Sequence, residues 1–444
     1  MQNILVIGAG RSSSALIDYL LAHSVAHDWV ITVADAAVAA ATQKINGHPN
    51  GRAVAIDITD AAQRAKIISE AACVASLLPP SLHDLVAVDC LALGKNLVTA
   101  SYLSPFLMSM ADEVRAKGLL FMGEMGLDPG IDHLSAMQII DEVKAKGGTV
   151  QAFRSYTGGL VSPECEGDNP WGYKFSWNPK NVVVAGQGVA QFIVGGKPKY
   201  RPYQQLFAQA DTIAVQGMGN YDGYANRDSL SYRKIYDLPD IPTLVRGTLR
   251  KRGYCKTWQI FVQLGLCDDT YTIDCEGLTY NDFLEMYLPH STETDLRKRL
   301  QTHLNRTTDS NCLAKIAWLG FFDKVPITLK KATPADILLA LLLEKWRLEP
   351  TDKDMVIMQH EFEYTIDNQL FSHISTLVVR GQNPTNTAMA QLVGLPMAIL
   401  VKLLMTQKIS LTGVHIPVQR EVYTPVLAEL HTLGVNFVET TTSH

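Results

Sequence analysis

The chain opens on Ile4-Leu-Val-Ile-Gly-Ala-Gly-Arg-Ser-Ser13, an apolar run followed by a glycine-rich turn. A helical stretch and a second apolar run come next. Strand, turn, helix and strand in this order form the unit in which such a turn binds a dinucleotide. Gly8 permits the tight turn, Gly10 lets the backbone approach a pyrophosphate, and the helix start supplies N–H donors. Ser13 stands at the third glycine position, so the fingerprint is imperfect.

The second apolar run, Trp29–Ala34, ends at Asp35. An acidic residue at this position can accept hydrogen bonds from the ribose 2′-OH of NAD. It would repel the 2′-phosphate of NADP by ~4 kcal/mol at a separation of about 4 Å and an effective dielectric near 20. An Asp in a strand-end turn is the alternative interpretation. The pattern predicts NAD as the cofactor, with NADP less favoured.

Strands and helices continue to alternate as far as Met122, which predicts a doubly wound parallel sheet. Ligands of such sheets lie beyond the carboxyl ends of the strands. That rule selects four strand tips, at residues 8–12, 78–80, 100–102 and 124–128.

The pattern changes after Pro129. One long helix is predicted at 131–146, followed by β-like segments through about residue 286, among them Thr257–Leu264. Residues 291–348 have a helical pattern, and two strands follow them. A long apolar helix, 386–406, and a final short helix and strand are expected to fold back onto the first domain.

Bulk properties describe a soluble globular protein of two or three domains. The 444 residues are 47% hydrophobic and 19% charged, with a net charge of −5. This balance argues against a nucleic-acid partner. The longest apolar stretch, Leu392–Met405, is interrupted by Pro396 and Lys402 and is short for a membrane span. The seven cysteines have no metal-ligand spacing. We expect no leader peptide, no metal and a cytoplasmic location.

Three segments carry chemistry-bearing side chains. Asp128 precedes Pro129, so it is either an N-cap or a substrate-facing carboxylate. Lys174 lies among aromatic residues and could meet an anion or extend to solvent. The second domain contains three arginines, a residue type that binds carboxylates through paired hydrogen bonds: Arg227, Arg246 and Arg250.

Five motifs together resemble the glutamate-forming saccharopine dehydrogenases, also called saccharopine reductases. They are Thr-Ala-Ser-Tyr at 99–102, Gly-Leu-Asp-Pro-Gly-Ile-Asp-His at 126–133, Asp-Asn-Pro-Trp-Gly-Tyr-Lys-Phe-Ser-Trp at 168–177, Asn-Arg-Asp-Ser at 226–229 and Arg-Gly-Thr-Leu-Arg at 246–250. Val393-Gly-Leu-Pro396 and Lys408-Ile-Ser-Leu-Thr-Gly413 extend the resemblance to nearly the whole chain.

The resemblance implies an α/β fold with a variant Rossmann domain and a mixed-sheet α+β second domain that contributes substrate and dimer contacts. The expected boundaries are 1–128 for the dinucleotide-binding domain, 129–290 and 349–385 for the second domain, 291–348 for a helical insertion and 386–444 for the return to the first domain. A homodimer is expected.

The family oxidises the secondary amine of saccharopine and hydrolyses the imine to L-glutamate and 2-aminoadipate 6-semialdehyde. By resemblance, the cofactor-binding residues are Gly8, Ala9, Gly10, Arg11, Ser12, Asp35, Asp57, Leu78, Thr99, Ser101, Leu127, Asp128, Pro129 and Phe175. The substrate-binding residues are Ser101, Tyr102, Asp128, Arg227, Arg246 and Thr248. Asp128 is the first candidate for the acid–base group, and Lys174 and Tyr102 are the alternatives.

One departure from the family concerns the second domain. The family often has Ser-Tyr-Cys-Gly-Gly where this chain has Ser155-Tyr-Thr-Gly-Gly159, so a thiolate there cannot be essential.

Two other functions stay open. A carboxynorspermidine or lysine 6-dehydrogenase on the same fold would need fewer arginines, and a non-catalytic NAD-binding protein would show no turnover.

Overall fold

The computed structural model describes residues 1–185, 187–304 and 309–444, and they form two compact units. The first unit contains Met1–Thr149 and Val379–Val438, and the second contains Val150–Val378 and Glu439–His444. The helix Ile131–Ala145 therefore belongs to the first unit, beyond the predicted boundary at residue 128. Within that unit the Tyr423 hydroxyl donates to Asp141 Oδ2 at 2.6 Å.

The first unit is built on a parallel sheet of seven strands. In sheet order they are Gly413–His415, Leu120–Met122, Asn96–Thr99, Cys73–Ser76, Gln2–Ile7, Trp29–Asp35 and Gly51–Ala55. Its helices are Ser14–His27, Val38–Ile45, Ala61–Ser69, His83–Leu93, Pro105–Ser109, Ala111–Ala116, Ile131–Ala145, Ala388–Met405 and Arg420–Thr432. Six strands have the 3-2-1-4-5-6 order of dinucleotide-binding sheets, and the seventh comes from the C-terminal part. The predicted variant Rossmann fold is confirmed.

Local sequence explains where several helices of this unit begin. The Asp60 carboxylate accepts hydrogen bonds from the N–H groups of Ala62 and Gln63, which would otherwise have no partner at the helix start. Ser104 caps the helix Pro105–Ser109 in the same way. In both cases the polar side chain fixes the first turn after a strand, which holds the strand tip in place.

The helix Ala388–Met405 is long and apolar enough to cross a membrane by length and composition, but 67% of it is buried inside the protein. It packs on the helix Ser14–His27 and on two central strands of its own unit. That burial is typical of a core helix in a globular protein. All seven cysteines are described; they are free thiols, and six of them are buried.

The second unit is built on a mixed sheet. Seven strands follow one another in the order Asp211–Val215, Gly219–Ala225, Thr243–Lys251, Thr149–Val161, Asp354–Ile366, Gln369–Arg380 and Phe437–Ser443. The hairpin Val189–Val194 and Lys197–Pro202 pairs with Thr243–Lys251. Ile273–Asp274 and Lys331–Ala332 form a separate small ladder. Its helices are Pro179–Val183, Tyr203–Leu206, Tyr232–Ile235, Tyr254–Leu264, Tyr280–Glu285, Leu296–His303, Ser310–Leu319 and Pro334–Lys345. The predicted mixed-sheet domain with a helical segment is confirmed; residues 305–308 of that segment lie outside the described residues.

The strand predicted at Thr257–Leu264 is wrong, because the segment lies in the helix Tyr254–Leu264. Glycines with positive φ, Gly253 and Gly265, bound the helix at both ends. Nine of its eleven residues are buried, and the two exposed ones, Lys256 and Gln263, lie seven residues apart on one helix face. The window Thr257–Leu264 leaves out Lys256 and therefore does not show this face.

Candidate active site

The glycine-rich turn of the first unit leaves room for a ligand at Gly10. Gly8 has φ +105°, and a Cβ there would lie 3.0 Å from the carbonyl oxygen of Leu77. An added Cβ at Gly10 would meet no atom within 4 Å. The short 3-10 turn Arg11–Ser13 follows and leads into the helix Ser14–His27. The structure therefore brings the predicted residues 8–12 together at a helix start whose N–H groups are suited to a phosphate.

Asp35 anchors this turn through its carboxylate. Oδ2 accepts a hydrogen bond from the N–H of Ala9 at 2.7 Å, and Oδ1 accepts one from the N–H of Ala37 at 2.8 Å. Both carboxylate oxygens therefore stabilise backbone of the protein itself. The acidic residue at the end of this strand has a structural function that the sequence pattern does not reveal.

Gly394 permits close packing of a second helix against the helix that follows the glycine-rich turn. Ser13 occupies that third position, and its hydroxyl donates to the Gly10 carbonyl at 2.9 Å. A Cβ at Gly394 would lie 2.7 Å from the backbone nitrogen of Leu16, so the two helices touch at this point. The motif Val393-Gly-Leu-Pro396 contains Gly394, but the motif alone does not indicate this helix contact.

The neighbouring strand tips carry further predicted residues. Asp57 is exposed, and hydrogen bonds from the Thr59 side chain and backbone lower the pKa of its carboxyl. Leu78 follows the strand Cys73–Ser76 and is half-buried. Thr99 ends the next strand, and Ser101 and Tyr102 come directly after it. These tips are at the carboxyl edge of the sheet, as predicted.

The segment 124–133 folds over the end of the same sheet. The N–H groups of Glu124 and Met125 donate to the carbonyls of Ser101 and Thr99 at 2.9 and 3.0 Å. Leu127 and Pro129 are buried and Asp128 is half-buried. The segment that carries Asp128 is therefore hydrogen-bonded to the strand tip that carries Ser101.

Asp128 is not the N-cap of the following helix. The helix begins at Ile131 with Gly130 as its cap, and the peptide bond between Asp128 and Pro129 is cis. The Asp132 carboxylate accepts a hydrogen bond from the Gly130 N–H at 2.6 Å. The capping interpretation of Asp128 is wrong, because Gly130 occupies the N-cap position.

Buried polar groups hold this segment in place. His133 is fully buried, and its Nε2 lies 2.9 Å from Oε2 of Glu124, which is 6% exposed. Its Nδ1 lies 3.6 Å from Oδ2 of Asp132. Glu124 also has a left-handed backbone, φ +54°. Strain of this kind is retained where surrounding contacts fix the chain. The histidine bridge therefore stabilises the turn that presents Asp128.

In the second unit, the strand Thr243–Lys251 brings three predicted or suspected side chains to one face. Alternate residues of a strand point to the same side of the sheet, so Arg246, Thr248 and Arg250 share a face. Val245 and Leu249 point to the other side, into an apolar cluster. The motif Arg-Gly-Thr-Leu-Arg therefore presents two arginines and a hydroxyl together.

Arg250 is a buried cation without a carboxylate partner among the described residues. It is 3% exposed, and its guanidinium lies 5.2–5.9 Å from the ring centres of Tyr173, Tyr254 and Tyr224. Nη1 donates to the Leu249 carbonyl at 3.1 Å, while Nε has no hydrogen-bond partner there. A buried charge is normally paired. The environment of Arg250 is therefore suited to an incoming anion.

Thr157 adds an unpartnered hydroxyl to the same face. It pairs in register with Thr248, and residues paired in a sheet project to one side. Its Oγ1 is buried without a hydrogen-bond partner in the part of the chain that the structure describes. This is the position where the family often has Cys. The alternation of residues along each strand is the sequence signal that could have placed Arg250 and Thr157 on this face of the sheet.

Arg227 and Arg246 differ in their surroundings. Arg246 is 5% exposed, and its guanidinium lies 4.2 Å from the ring centre of Tyr232. Arg227 is exposed with φ +48°, and its carbonyl accepts from the Gln191 N–H at 2.8 Å. The constrained loop at Arg227 fixes where its side chain leaves the backbone.

Two predicted residues of the aromatic loop have structural partners instead. Lys174 Nζ forms an ion pair with Asp352 Oδ2 at 2.6 Å, and both side chains are largely buried. Phe175 is 1% exposed and packs against Trp346 with ring centres 5.4 Å apart. The ring of Phe175 lies inside the aromatic core of its unit, and its contact with the cofactor stays a prediction.

A cavity of about 430 Å³ in the second unit opens on the opposite face of the sheet. Arg154, Tyr156 and Val245 are among the residues that line it. They alternate with Ser155, Thr157 and Arg246 along their strands. The cavity is therefore separated from the candidate substrate residues by the sheet.

Two family models match the chain. Residues 4–122 match the saccharopine dehydrogenase NADP binding domain, and residues 126–435 match the saccharopine dehydrogenase C-terminal domain. The chain is 33% identical to a saccharopine dehydrogenase [NADP(+), L-glutamate-forming] of Saccharomyces cerevisiae over 97% of this chain and 96% of the relative. The protein of the same name from Schizosaccharomyces pombe is 32% identical and is covered to 99%, as is this chain. A solved structure of apo saccharopine dehydrogenase (L-Glu forming) from S. cerevisiae superposes with a TM-score of 0.90, at 32% identity, covering 100% of both chains.

These comparisons overturn the predicted preference for NAD. The family model over residues 4–122 is described as an NADP binding domain, and both relatives are named for NADP(+). The prediction depended on Asp35 as a free acceptor for a ribose hydroxyl. Its two carboxylate oxygens accept hydrogen bonds from the N–H groups of Ala9 and Ala37. This anchoring role accounts for an acidic residue at position 35 whichever of the two cofactors binds.

Proposed function

The chain belongs to the saccharopine dehydrogenase family, and from this premise we propose that it interconverts saccharopine, NADP+ and water with L-glutamate, 2-aminoadipate 6-semialdehyde, NADPH and a proton. The observation that carries the proposal is the pair of arginines on one strand face, Arg246 and Arg250. Arg250 is a buried cation with no carboxylate beside it in the described residues. Saccharopine has three carboxylates, and guanidinium groups bind carboxylates in a paired geometry.

The glycine-rich turn is the proposed cofactor site. The open space at Gly10 admits the close approach of a pyrophosphate, and the helix that follows offers N–H donors. Arg11 is exposed on this turn and supplies a positive charge for a phosphate group. Asp35 keeps the turn in shape through Ala9. When bound, the cofactor accepts a hydride from the substrate carbon that carries the secondary amine.

Substrate carboxylates are the proposed ligands of the second unit. Arg246, Thr248 and Arg250 offer two cations and a hydroxyl on one strand face, and the Thr157 hydroxyl is their neighbour. Arg227 offers a further guanidinium from a constrained loop. This set of donors fits a polycarboxylate amine better than a polyamine, which supports saccharopine as the proposed substrate.

Asp128 is the proposed acid–base residue. Hydride leaves the substrate carbon only when the amine nitrogen is unprotonated, and the C=N bond formed is then attacked by water. A carboxylate beside that carbon can accept a proton from the attacking water and give one to the departing amine of glutamate. Asp128 is half-buried next to the tip bearing Ser101 and Tyr102, which supports this role. Lys174 is a weaker candidate, since Asp352 already engages its Nζ.

A steady-state assay tests the proposed reaction. The purified protein is mixed with NADP+ and, in separate reactions, with saccharopine, lysine, carboxynorspermidine or homospermidine, and NADPH formation is followed. Saccharopine is expected to give the highest kcat/KM, with glutamate as a product. Preference for lysine or a polyamine would contradict the assignment. A cytoplasmic location and a homodimer stay predictions.

A further inference from the structure

A buried histidine joins three hydroxyl groups at the tip of the first sheet. His83 is 2% exposed and begins the helix His83–Leu93. Its Nδ1 lies 3.0 Å from Ser76 Oγ, and its Nε2 lies 2.9 Å from Ser101 Oγ and 3.2 Å from Thr99 Oγ1. Ser76 and Thr99 are paired in register at the ends of neighbouring strands. The imidazole therefore bridges two strand tips and reaches the loop that carries Ser101.

The ring is held in its neutral form. Burial lowers the pKa of His83 to about 4, and the nearby Asp84 carboxylate and a backbone hydrogen bond at Leu78 oppose this shift without reversing it. A neutral imidazole has one N–H donor and one acceptor nitrogen. Both nitrogens are engaged, so the ring has one stable orientation. In either tautomer Nε2 holds the Ser101 hydroxyl in a hydrogen bond: the hydroxyl donates when Nε2 is unprotonated and accepts when Nε2 carries the proton.

Ser76 and Thr99 are almost fully buried, at 0% and 2% exposure, whereas Ser101 is half-buried. Of the three hydroxyls, Ser101 alone is at a position where a bound ligand can meet it. The buried Ser76 hydroxyl holds the imidazole at Nδ1, and Nε2 contacts the buried Thr99 hydroxyl and the half-buried Ser101 hydroxyl.

We propose that His83 is a positioning residue that acts through Ser101 and sets the direction of the Ser101 hydroxyl toward the bound ligand. The inference rests on the proposed function, in which Ser101 contacts cofactor and substrate. His83 itself touches neither of them and moves no proton in the reaction. Its neutral ring is a fixed hydrogen-bond partner for a hydroxyl that would otherwise rotate freely.

A double-mutant cycle tests this inference. The variants are His83→Leu, Ser101→Ala and the double variant, with kcat/KM for saccharopine measured for each and folding checked by thermal unfolding. In the wild-type background His83→Leu is expected to lower kcat/KM about tenfold, and in the Ser101→Ala background by less than about twofold, because residues in one hydrogen-bond network are non-additive. Equal losses in both backgrounds would show that His83 acts independently of Ser101 and would overturn the inference.

Two amide variants provide a matched comparison and replace His83→Leu if that variant does not fold. The Gln side chain places an amide group near the position of Nε2, whereas the Asn side chain reaches only the position of Nδ1. His83→Gln is therefore expected to retain activity within about threefold of wild type, and His83→Asn to lose about tenfold, the range of one network hydrogen bond. The reverse order would contradict the inference.

The same cycle separates this inference from the proposed function. If the wild-type protein does not turn over saccharopine, the proposed function fails, and the cycle is measured in NADPH affinity by fluorescence titration instead. Non-additivity in that affinity would still support His83 acting through Ser101. Full activity and full NADPH affinity of Ser101→Ala would remove Ser101 from the site and overturn the inference.

Discussion

Replacing Arg250 with Met should damage catalysis without damaging the fold. Met has a similar length and no charge, so it can fill the space among Tyr173, Tyr224 and Tyr254 but loses the cation–π attraction to their rings. Loss of one partner of a buried charge pair costs ~2–5 kcal/mol. A middle value of about 3 kcal/mol corresponds to about a hundredfold loss of kcat/KM for saccharopine, at about 1.4 kcal/mol for each factor of ten.

The expected change in stability has the opposite sign. In the free protein the Arg250 guanidinium is buried with no carboxylate among the described residues, so its desolvation is poorly compensated. Replacing such a cation with an apolar side chain is often neutral or stabilising. We therefore expect the free energy of unfolding of Arg250→Met, measured in urea, to equal or exceed that of the wild-type protein.

Arg252→Met is the matched control, because Arg252 lies two residues further on with its side chain 59% exposed. It should keep kcat/KM within about twofold. Its loss of stability should stay at ~1.5 kcal/mol, the low end for a hydrogen bond to a charged group, because its partner Asp222 is buried but keeps hydrogen bonds from the N–H groups of Gly253 and Cys255. The reasoning about Arg250 is refuted if Arg250→Met keeps wild-type kcat/KM and loses several kcal/mol of stability. In that case the guanidinium serves the core and not the substrate.

Four further predictions concern the first unit. Asp128→Ala should lower kcat at least about tenfold, the low end for an acid–base group, with NADPH affinity by fluorescence changed less than about twofold; wild-type turnover would remove Asp128 from the mechanism. Asp35→Ala should raise the NADPH Kd about tenfold, although it removes a negative charge, because the turn loses two hydrogen bonds to a charged acceptor worth ~1.5–3 kcal/mol each; tighter NADPH binding would show that charge repulsion dominates. Gly10→Ala should weaken NADPH binding without changing Tm, whereas Gly394→Ala should lower stability by ~1–3 kcal/mol because its Cβ meets Leu16 at 2.7 Å; equal effects of the two variants on Tm would contradict this. Because the pKa of His83 falls from 6.5 to about 4 on folding, the unfolded chain binds the extra proton between these values, so stability is lost as pH falls. The loss from pH 7 to pH 5 should be about 2 kcal/mol larger in wild type than in His83→Gln by urea unfolding, and identical pH profiles would contradict the buried neutral ring.

The first sheet was predictable because its signals are local. The strands are short runs of three to seven residues and helices separate them, so the alternation could be followed from Gln2 to Met122. The second unit was harder, since its pairings join distant segments such as Thr149–Val161 and Thr243–Lys251. The helix Tyr254–Leu264 was predicted as a strand because the window Thr257–Leu264 leaves out Lys256, which together with Gln263 marks the exposed face of the helix.

The candidate site was predictable in its residue types and less so in their roles. The motif Arg-Gly-Thr-Leu-Arg indicated carboxylate binding, but only the strand geometry shows that Arg250 shares the face of Arg246 and Thr248. Lys174 and Phe175 were expected at the site, but each contacts a residue far away in the sequence. Asp352 forms an ion pair with Lys174, and Trp346 packs against Phe175. No spacing rule within the loop could reveal these long-range contacts.

Asp35 shows why the cofactor prediction failed. An acidic residue after the second strand is consistent with two roles, ribose recognition and anchoring of the backbone. The sequence alone does not distinguish them, because both need a carboxylate at the same position. The hydrogen bonds to Ala9 and Ala37 show the anchoring role, which depends on how the turn folds back toward the strand.

The most direct test of the proposed function follows the hydride itself. The protein is incubated with L-glutamate, 2-aminoadipate 6-semialdehyde and NADPH deuterated at the transferable position, and the product is analysed by mass spectrometry. We predict saccharopine carrying a single deuterium on the carbon that was the aldehyde carbon. Unlabelled saccharopine, a label on the glutamate α-carbon or no saccharopine at all would contradict the assignment.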